Sequence, residues 1–190
     1  GKIIMSLYLK NIGENSKKAF NNLEKIDIKK RDRVLDTYIK DLSKNKKKII
    51  RENYNDLKNC KRKDLIDRLL MNEKKIDSVR HSINEIKKFK DPLKRTIANW
   101  KRPSGLLIKK ITIPIGVVGI IYESRPDVTC DVSSLCLKSG NVAILRGGTE
   151  SFCTNKILSD LFRYALSKNK LDKNCIQFIQ KKDRKLVDFM

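Results

Sequence analysis

Two short polar clusters contain the residues of this chain that are best suited to bind a ligand. The first is Tyr-Glu-Ser-Arg-Pro-Asp at positions 122–127, and the second is Arg-Gly-Gly-Thr-Glu-Ser at positions 146–151. A guanidinium group binds phosphates and carboxylates through paired hydrogen bonds, and backbone N–H groups at the start of a helix add donors for an anion. The two clusters therefore predict a binding site for an anionic ligand.

Each cluster follows an apolar run that is typical of a buried strand. The runs at positions 117–122 and 142–145 are rich in Val, Ile and Leu, and an amphipathic segment at 128–138 separates them. This strand–helix–strand pattern predicts a parallel sheet whose strands are covered on both faces. Ligands bind at the carboxyl ends of such strands, which is where both clusters lie.

The flanking sequence extends the pattern in both directions. Residues 7–90 are predicted to be helical because apolar residues recur at spacings of three and four, and Asp91-Pro92 ends that region. A β-branched run at 106–113 predicts another strand. After the second cluster the pattern predicts a helix at 151–168, a strand at 175–179 and a helix from Asp183. The fold class expected from these elements is α/β.

Composition limits the class of protein. The 190 residues include 44 Lys and Arg against 22 Asp and Glu, which gives a net charge of +22. Lysines alternate with acids in many places, and this favours a solvated basic surface over a dedicated nucleic-acid site. No apolar run approaches the ~20 residues that span a bilayer. The five cysteines and one histidine lack the spacing of a zinc site, so we expect a cytoplasmic protein with reduced thiols.

The second cluster indicates which nucleotide such a site would bind. The chain lacks the Gly-x-Gly-x-x-Gly motif that is typical of many dinucleotide-binding proteins. In these folds an acid after the second strand binds the ribose 2′-hydroxyl, whereas an arginine accommodates a 2′-phosphate. Arg146 therefore favours NADP over NAD. The pair Gly147-Gly148 is either part of this site or an ordinary strand-to-helix turn.

Three segments of the sequence closely resemble one known family. They are Gly-Ile-Ile-Tyr-Glu-Ser-Arg-Pro-Asp-Val-Thr at 119–129, Ser-Leu-Cys-Leu-Lys-Ser-Gly-Asn at 134–141 and Ile-Leu-Arg-Gly-Gly at 144–148. The family is that of the γ-glutamyl phosphate reductases, or glutamate-5-semialdehyde dehydrogenases, in the aldehyde dehydrogenase superfamily. The resemblance covers about residues 7–190. It implies N-terminal helices that lead into an incomplete Rossmann-like parallel sheet.

The resemblance also implies how the chain is organised. Residues 5–100 are expected to be the helical part of the cofactor domain, 101–114 an oligomerisation strand, and 115–190 the first part of the NADP-binding α/β domain. The catalytic domain is then absent from this chain, and the nucleophilic cysteine is expected beyond Met190. The chain is therefore expected to be an amino-terminal fragment that is inactive alone.

The implied activity is NADPH-dependent reduction of L-glutamyl 5-phosphate to L-glutamate 5-semialdehyde, with release of phosphate, in proline biosynthesis. The complete enzyme is expected to be a homo-oligomer, with channelling of the substrate from glutamate 5-kinase as a further partnership. Two alternatives stay open. One is another acyl-reducing member of the superfamily, and the other is a basic, helical nucleic-acid-binding protein.

The resemblance assigns roles to ten residues. Arg125 and Asp127 are expected to bind the substrate, with a structural ion pair as the alternative for Arg125. No residue of this chain is expected to bind a metal. The residues expected to bind the cofactor are Tyr122, Glu123, Ser124, Arg146, Gly147, Gly148, Thr149 and Ser151.

Overall fold

The computed structural model describes residues 2–89, 108–113 and 117–180, apart from the side chains at positions 2 and 108–113. In these ranges the helices are α1 (Lys2–Leu23), α2 (Ile28–Lys44), α3 (Lys46–Asn59), α4 (Ile66–Leu69), α5 (Glu73–Lys87), α6 (Pro126–Lys138) and α7 (Phe152–Lys168). The strands are β1 (Ile108–Ile113), β2 (Val117–Tyr122), β3 (Ala143–Arg146) and β4 (Ile176–Phe178). Short 3₁₀ turns at Thr149–Ser151 and Lys173–Cys175 precede α7 and β4.

The strands form one sheet in the order β1-β2-β3-β4. β2, β3 and β4 are parallel, with Val118 opposite Ala143 and Leu145 opposite Phe178. α6 connects β2 to β3 and α7 connects β3 to β4, as the strand–helix–strand pattern predicts. The predicted α/β fold class is thereby confirmed. β1 adds an antiparallel partner to β2.

Some element boundaries differ from the sequence prediction. Arg146 is the last residue of β3 rather than the first residue after the strand, so the pleat of the strand decides where its side chain points. α6 begins at Pro126, two residues earlier than predicted. A proline suits the first turn of a helix because the N–H that it lacks would have no helical partner there.

Several elements predicted from the sequence lie partly or wholly outside the residues that the structure describes. Positions 106–107, the helix end at Asp91-Pro92 and the helix from Asp183 lie outside the described residues. The described part of the predicted strand, β1, pairs with β2 from Ile108 opposite Tyr122 to Ile113 opposite Val117. Its role in oligomerisation stays a prediction.

Helices cover both faces of the sheet. In β4, Gln177 Nε2 donates hydrogen bonds to Ser16 Oγ at 2.7 Å and to Ile12 O at 2.9 Å in α1. The next residue, Phe178, packs against Phe152 of α7 with ring centroids 5.7 Å apart. Because neighbouring residues of a strand point to opposite faces, α1 covers one face and α7 covers the other.

A second helical layer packs on α6 and α7. Tyr38 of α2 is fully buried; its hydroxyl donates to Leu158 O at 2.8 Å, and its ring meets Phe162 edge-on with centroids 4.8 Å apart. At the end of α6, the buried ammonium of Lys138 donates to Asp32 Oδ1 of α2 at 2.7 Å. A buried charge is tolerated when it is paired and hydrogen-bonded in this way. These contacts hold the helical half of the chain, which comprises α1–α5, on the α/β half, which comprises β2–β4 with α6 and α7.

The start of α7 is held by a carboxylate from α3. Asp56 is buried and accepts hydrogen bonds from Cys153 N at 3.1 Å, Thr154 N at 2.7 Å and Thr154 Oγ1 at 2.6 Å. The first N–H groups of a helix have no partner within the helix. The side chain of Ser151, the residue before α7, does not cap the helix. Asp56, 97 residues before Cys153 in the sequence, accepts these hydrogen bonds instead. A carboxylate also suits the positive end of the helix dipole.

None of the helices within residues 2–89 and 117–180 is both long enough and apolar enough to cross a membrane.

Asp56→Asn should destabilise the fold by about 1–2 kcal/mol, because one of the two oxygens that cap α7 becomes an amide NH₂ that cannot accept a hydrogen bond. Urea denaturation followed by circular dichroism measures this change. The matched control is Asp67→Asn, since Asp67 is an exposed aspartate in helix α4. We expect the control to stay within about 0.5 kcal/mol of the parent. Equal stabilities of the two variants would contradict the capping role.

Candidate functional site

The tyrosine of the first cluster belongs to a buried chain of hydrogen bonds. Tyr122 Oη lies 2.7 Å from Thr129 Oγ1, which donates to Asn155 Oδ1 at 3.0 Å, and Asn155 Nδ2 donates to Ser151 Oγ at 2.9 Å. Burial raises the pKa of Tyr122 well above its ordinary value. The chain joins the end of β2 to α6 and to the start of α7. It therefore fixes the two polar clusters side by side and directs Tyr122 and Ser151 into the interior.

The acid of the second cluster is held by two hydroxyl groups. Ser124 Oγ donates to Glu150 Oε2 at 2.8 Å, and Thr149 Oγ1 donates to the same oxygen at 3.3 Å. The hydrogen bond from Ser124 is the main cause that lowers the pKa of the Glu150 carboxyl. An ionised carboxylate is thus presented where the two clusters meet. Sequence reasoning selected Ser124 and Thr149 but left Glu150 out of the site.

The two glycines are explained by close packing between the clusters. A Cβ atom at Gly147 would lie 2.2 Å from Asn155 Nδ2, and one at Gly148 would lie 1.8 Å from Ser124 Oγ and 2.8 Å from Ser124 N. Neither glycine has a positive φ. Gly147-Gly148 therefore lets the loop after β3 approach the loop after β2. A ligand is not needed to explain the pair.

The arginines of the two clusters are buried to different degrees. Arg146 is 4% exposed, and its Nη1 donates to Gly147 O at 3.4 Å. Arg125 is half-buried, and its Nε is buried without a hydrogen-bond partner among residues 2–89 and 117–180. Asp127 is buried in the first turn of α6, where the helix dipole favours a carboxylate. Of the two arginines, Arg125 is the more exposed.

A cleft of about 230 Å³ lies where the clusters meet the helical half of the chain. Arg68 Nη1 lies 3.6 Å from Glu123 Oε2, and Arg62 Nη2 lies 2.8 Å from Asp64 Oδ2. Sequence reasoning missed both arginines, because nothing in the spacing between positions 62–68 and 123–150 signals that they meet. The cleft is lined by Arg62, Leu65, Arg68, Glu123, Ser124, Gly148 and Glu150.

The cysteines lie apart from this cleft. Cys130, Cys136 and Cys175 are buried, whereas Cys60 and Cys153 are half-buried. Burial raises the pKa of the Cys175 thiol to about 12, which keeps it protonated and unreactive. Within the described ranges, no group of three or more His, Cys, Asp or Glu side chains is arranged to hold a metal ion.

Gly148→Ala should destabilise the protein by about 1–3 kcal/mol, because the new methyl group would meet the backbone of Ser124. Thermal or urea unfolding measures the change. The control is Gly13→Ala, since a Cβ at Gly13 has no atom within 4 Å and the position is in helix α1. Helix propensity predicts a gain of up to about 1 kcal/mol for the control. A stabilising effect at both positions would contradict the packing role of Gly148.

Ser124→Ala should raise the pKa of Glu150 towards the ordinary value of 4.5, because the main hydrogen bond to the carboxylate is lost. A carboxyl NMR titration measures this pKa, and Ser167→Ala, at an exposed position, is the control. Because the pKa of Glu150 is lowered in the folded protein, the ionised carboxylate stabilises the fold at pH values above its ordinary pKa. This contribution is lost as the pH falls through the lowered pKa. An unchanged Glu150 pKa in Ser124→Ala would show that another group holds the carboxylate.

Sequence comparison finds relatives that are named γ-glutamyl phosphate reductases. No family model matches the chain. A γ-glutamyl phosphate reductase from Clostridium tetani is 38% identical over 190 residues, and one from Halothermothrix orenii is 40% identical over 174 residues. These alignments cover 98% and 90% of the chain but 44% and 42% of the relatives. The chain thus spans less than half the length of the curated relatives that it matches.

Solved structures agree with the sequence relatives. The γ-glutamyl phosphate reductase of Thermotoga maritima has a TM-score of 0.80 and 32% identity, over 94% of the chain and 44% of that protein. The one from Saccharomyces cerevisiae has a TM-score of 0.74 and 28% identity, over 93% and 47%. An acetylating aldehyde dehydrogenase from Geobacillus thermoglucosidasius, 14% identical with a TM-score of 0.69 over 98% and 39%, shares the fold. By sequence and by fold, the chain is a homologue of the γ-glutamyl phosphate reductases over the part of their length that it spans.

Proposed function

We propose that this chain provides the helical part and the first α/β part of an NADPH-dependent γ-glutamyl phosphate reductase. The proposed reaction reduces L-glutamyl 5-phosphate to L-glutamate 5-semialdehyde and releases phosphate, in proline biosynthesis. The observation that carries the proposal is similarity to the Clostridium tetani reductase across 98% of the chain. Because the chain spans 44% of that relative, the activity is proposed for the protein that contains this chain.

The cleft supports binding of the adenosine end of a nicotinamide cofactor. Aldehyde dehydrogenases use such a cofactor, which carries the hydride when it is bound. Glu150, kept ionised by Ser124 at 2.8 Å, suits the hydroxyl groups of a ribose. Arg62 and Arg68 line the same cleft and provide positive charge for a phosphate. These side chains fit an adenosine phosphate, and we propose that the cofactor is NADP.

The remaining residues of the clusters are assigned by what they contact. Tyr122 and Ser151 have their hydroxyl groups in the buried hydrogen-bond chain. We therefore propose that they position the part of the site that binds the cofactor. Gly147 and Gly148 bring the two loops together. We assign Glu123, Ser124 and Thr149 to the wall of the cofactor site, together with the backbone around Arg146.

Arg125 is the residue that we assign to the substrate. Its Nε is buried and has no hydrogen-bond partner among the described residues, which leaves a donor for the phosphate or carboxylate of L-glutamyl 5-phosphate. Asp127, two residues later, is assigned to the same side of the site. The five cysteines are assigned structural roles, because three are buried, two are half-buried and none lines the cleft.

Other parts of the proposal concern the whole protein. We propose a cytoplasmic homo-oligomer in which residues 101–114 contribute to the subunit interface, while residues 5–100 and 115–190 form the cofactor domain. Substrate channelling from glutamate 5-kinase is proposed as a partnership. The basic surface, with its net charge of +22, is assigned no nucleic-acid partner.

The reverse reaction tests the proposed activity in the protein that contains this chain. NADP reduction by glutamate 5-semialdehyde should depend on phosphate, and coenzyme A should not replace phosphate. Arg125→Ala should lower kcat/KM by about 10- to 100-fold, since a hydrogen bond to a charged group contributes about 1.5–3 kcal/mol. The control is Arg33→Ala, at an exposed arginine in α2. A rate that requires coenzyme A would instead indicate an acylating aldehyde dehydrogenase.

A further inference from the structure

We propose that Arg62 and Arg68, from the helical half of the chain, bind the 2′-phosphate of NADP and determine the preference for NADP over NAD. The inference rests on the proposed function, because it names the residues that distinguish the two cofactors at that site. It also moves the 2′-phosphate from Arg146, which the sequence favours, to two arginines that only the fold brings to the site.

The fold brings two arginines of the helical half to the ends of the parallel strands. Arg62 precedes the 3₁₀ turn Lys63–Leu65, and Arg68 lies in α4, yet both line the cleft with Glu123 and Glu150. The cleft thus has cations on one wall and the ends of β2 and β3 on the other. Ligands bind at the carboxyl ends of parallel strands, so a phosphate bound there would face both guanidinium groups.

Both arginines form exposed ion pairs. Arg62 and its partner Asp64 have side chains that are 61% and 64% exposed, and Arg68 lies 3.6 Å from Glu123 with both side chains more than 40% exposed. Exposed ion pairs of this kind contribute little to stability. A guanidinium has five N–H donors, and a phosphate accepts two of them in a strong paired arrangement. Phosphate can therefore bind without breaking contacts on which the fold depends.

The cleft also contains the negative charge of Glu150. An ionised carboxylate repels a phosphate that binds nearby, so a site that holds Glu150 and accepts a 2′-phosphate needs cations close to both. Arg62 interacts electrostatically with Glu150. Glu150 then remains free to accept hydrogen bonds from the ribose, while the two arginines balance the added negative charge.

Arg146 is poorly placed for this role. Its side chain is 4% exposed and one of its nitrogens donates to the carbonyl of Gly147. A 2′-phosphate is doubly charged and strongly hydrated, so reaching Arg146 would require burial of that charge. Arg62 and Arg68 offer the same chemistry at the surface of the cleft.

The test compares two fragments of the cofactor that differ in the 2′-phosphate. Isothermal titration of the protein that contains this chain with 2′,5′-ADP and with 5′-AMP should give tighter binding of 2′,5′-ADP. The double variant Arg62→Gln/Arg68→Gln should weaken 2′,5′-ADP binding by about 10- to 100-fold, by the same charged hydrogen-bond energies, and leave 5′-AMP binding unchanged. Lysine at both positions should keep part of the preference, because it retains the charge but loses the paired geometry.

The matched control is Arg51→Gln, at an exposed arginine of α3 that is outside the lining of the cleft; it should leave both affinities unchanged. Thermal unfolding of each variant verifies that it is folded. If the double variant keeps the preference, or loses affinity for both ligands equally, the assignment of the arginines is wrong while the proposed function stands. If the parent protein binds neither ligand, the proposed cofactor site itself is wrong.

Discussion

The carboxylate of Asp56 accepts three hydrogen bonds from the first turn of α7, and the geometry of the candidate site depends on this contact. α7 begins directly after the second polar cluster, so a carboxylate from α3 fixes where that cluster lies relative to the helical half. The same helix carries Asn155, which links Thr129 to Ser151 in the buried hydrogen-bond chain from Tyr122. One contact between distant parts of the chain thus sets both the layer packing and the alignment of the two clusters.

The capping carboxylate also decides what kind of anion site can exist here. In many nucleotide-binding folds a phosphate lies at a helix N-terminus, where N–H groups and the helix dipole favour negative charge. At α7 these donors bond to Asp56, so a phosphate would have to compete with a buried carboxylate. Recognition of an anion must then come from side chains at the mouth of the cleft. Among the described residues, Arg62 and Arg68 are the cationic side chains that line it.

The helical half therefore has two tasks in the proposed enzyme. Through Tyr38 and the ion pair between buried Lys138 and Asp32 it covers α6 and α7, the helices that connect the parallel strands. Through Arg62 and Arg68 it provides the wall of the cleft that faces the strand ends. The glycines at 147–148 serve the same arrangement, because any larger residue would push the loop after β3 away from the loop after β2.

The sequence by itself determined the local features of this protein. Apolar periodicity predicted the helices and the parallel strands, because it records which faces are buried, and three conspicuous segments indicated the family. Whether Tyr122, Ser151 and Arg146 face a ligand or the interior depended on tertiary structure, as did the need for glycine at 147 and 148. So did the presence of Arg62 and Arg68 in the cleft. Those features arise from contacts between residues far apart in the chain, and local spacing carries no information about such contacts.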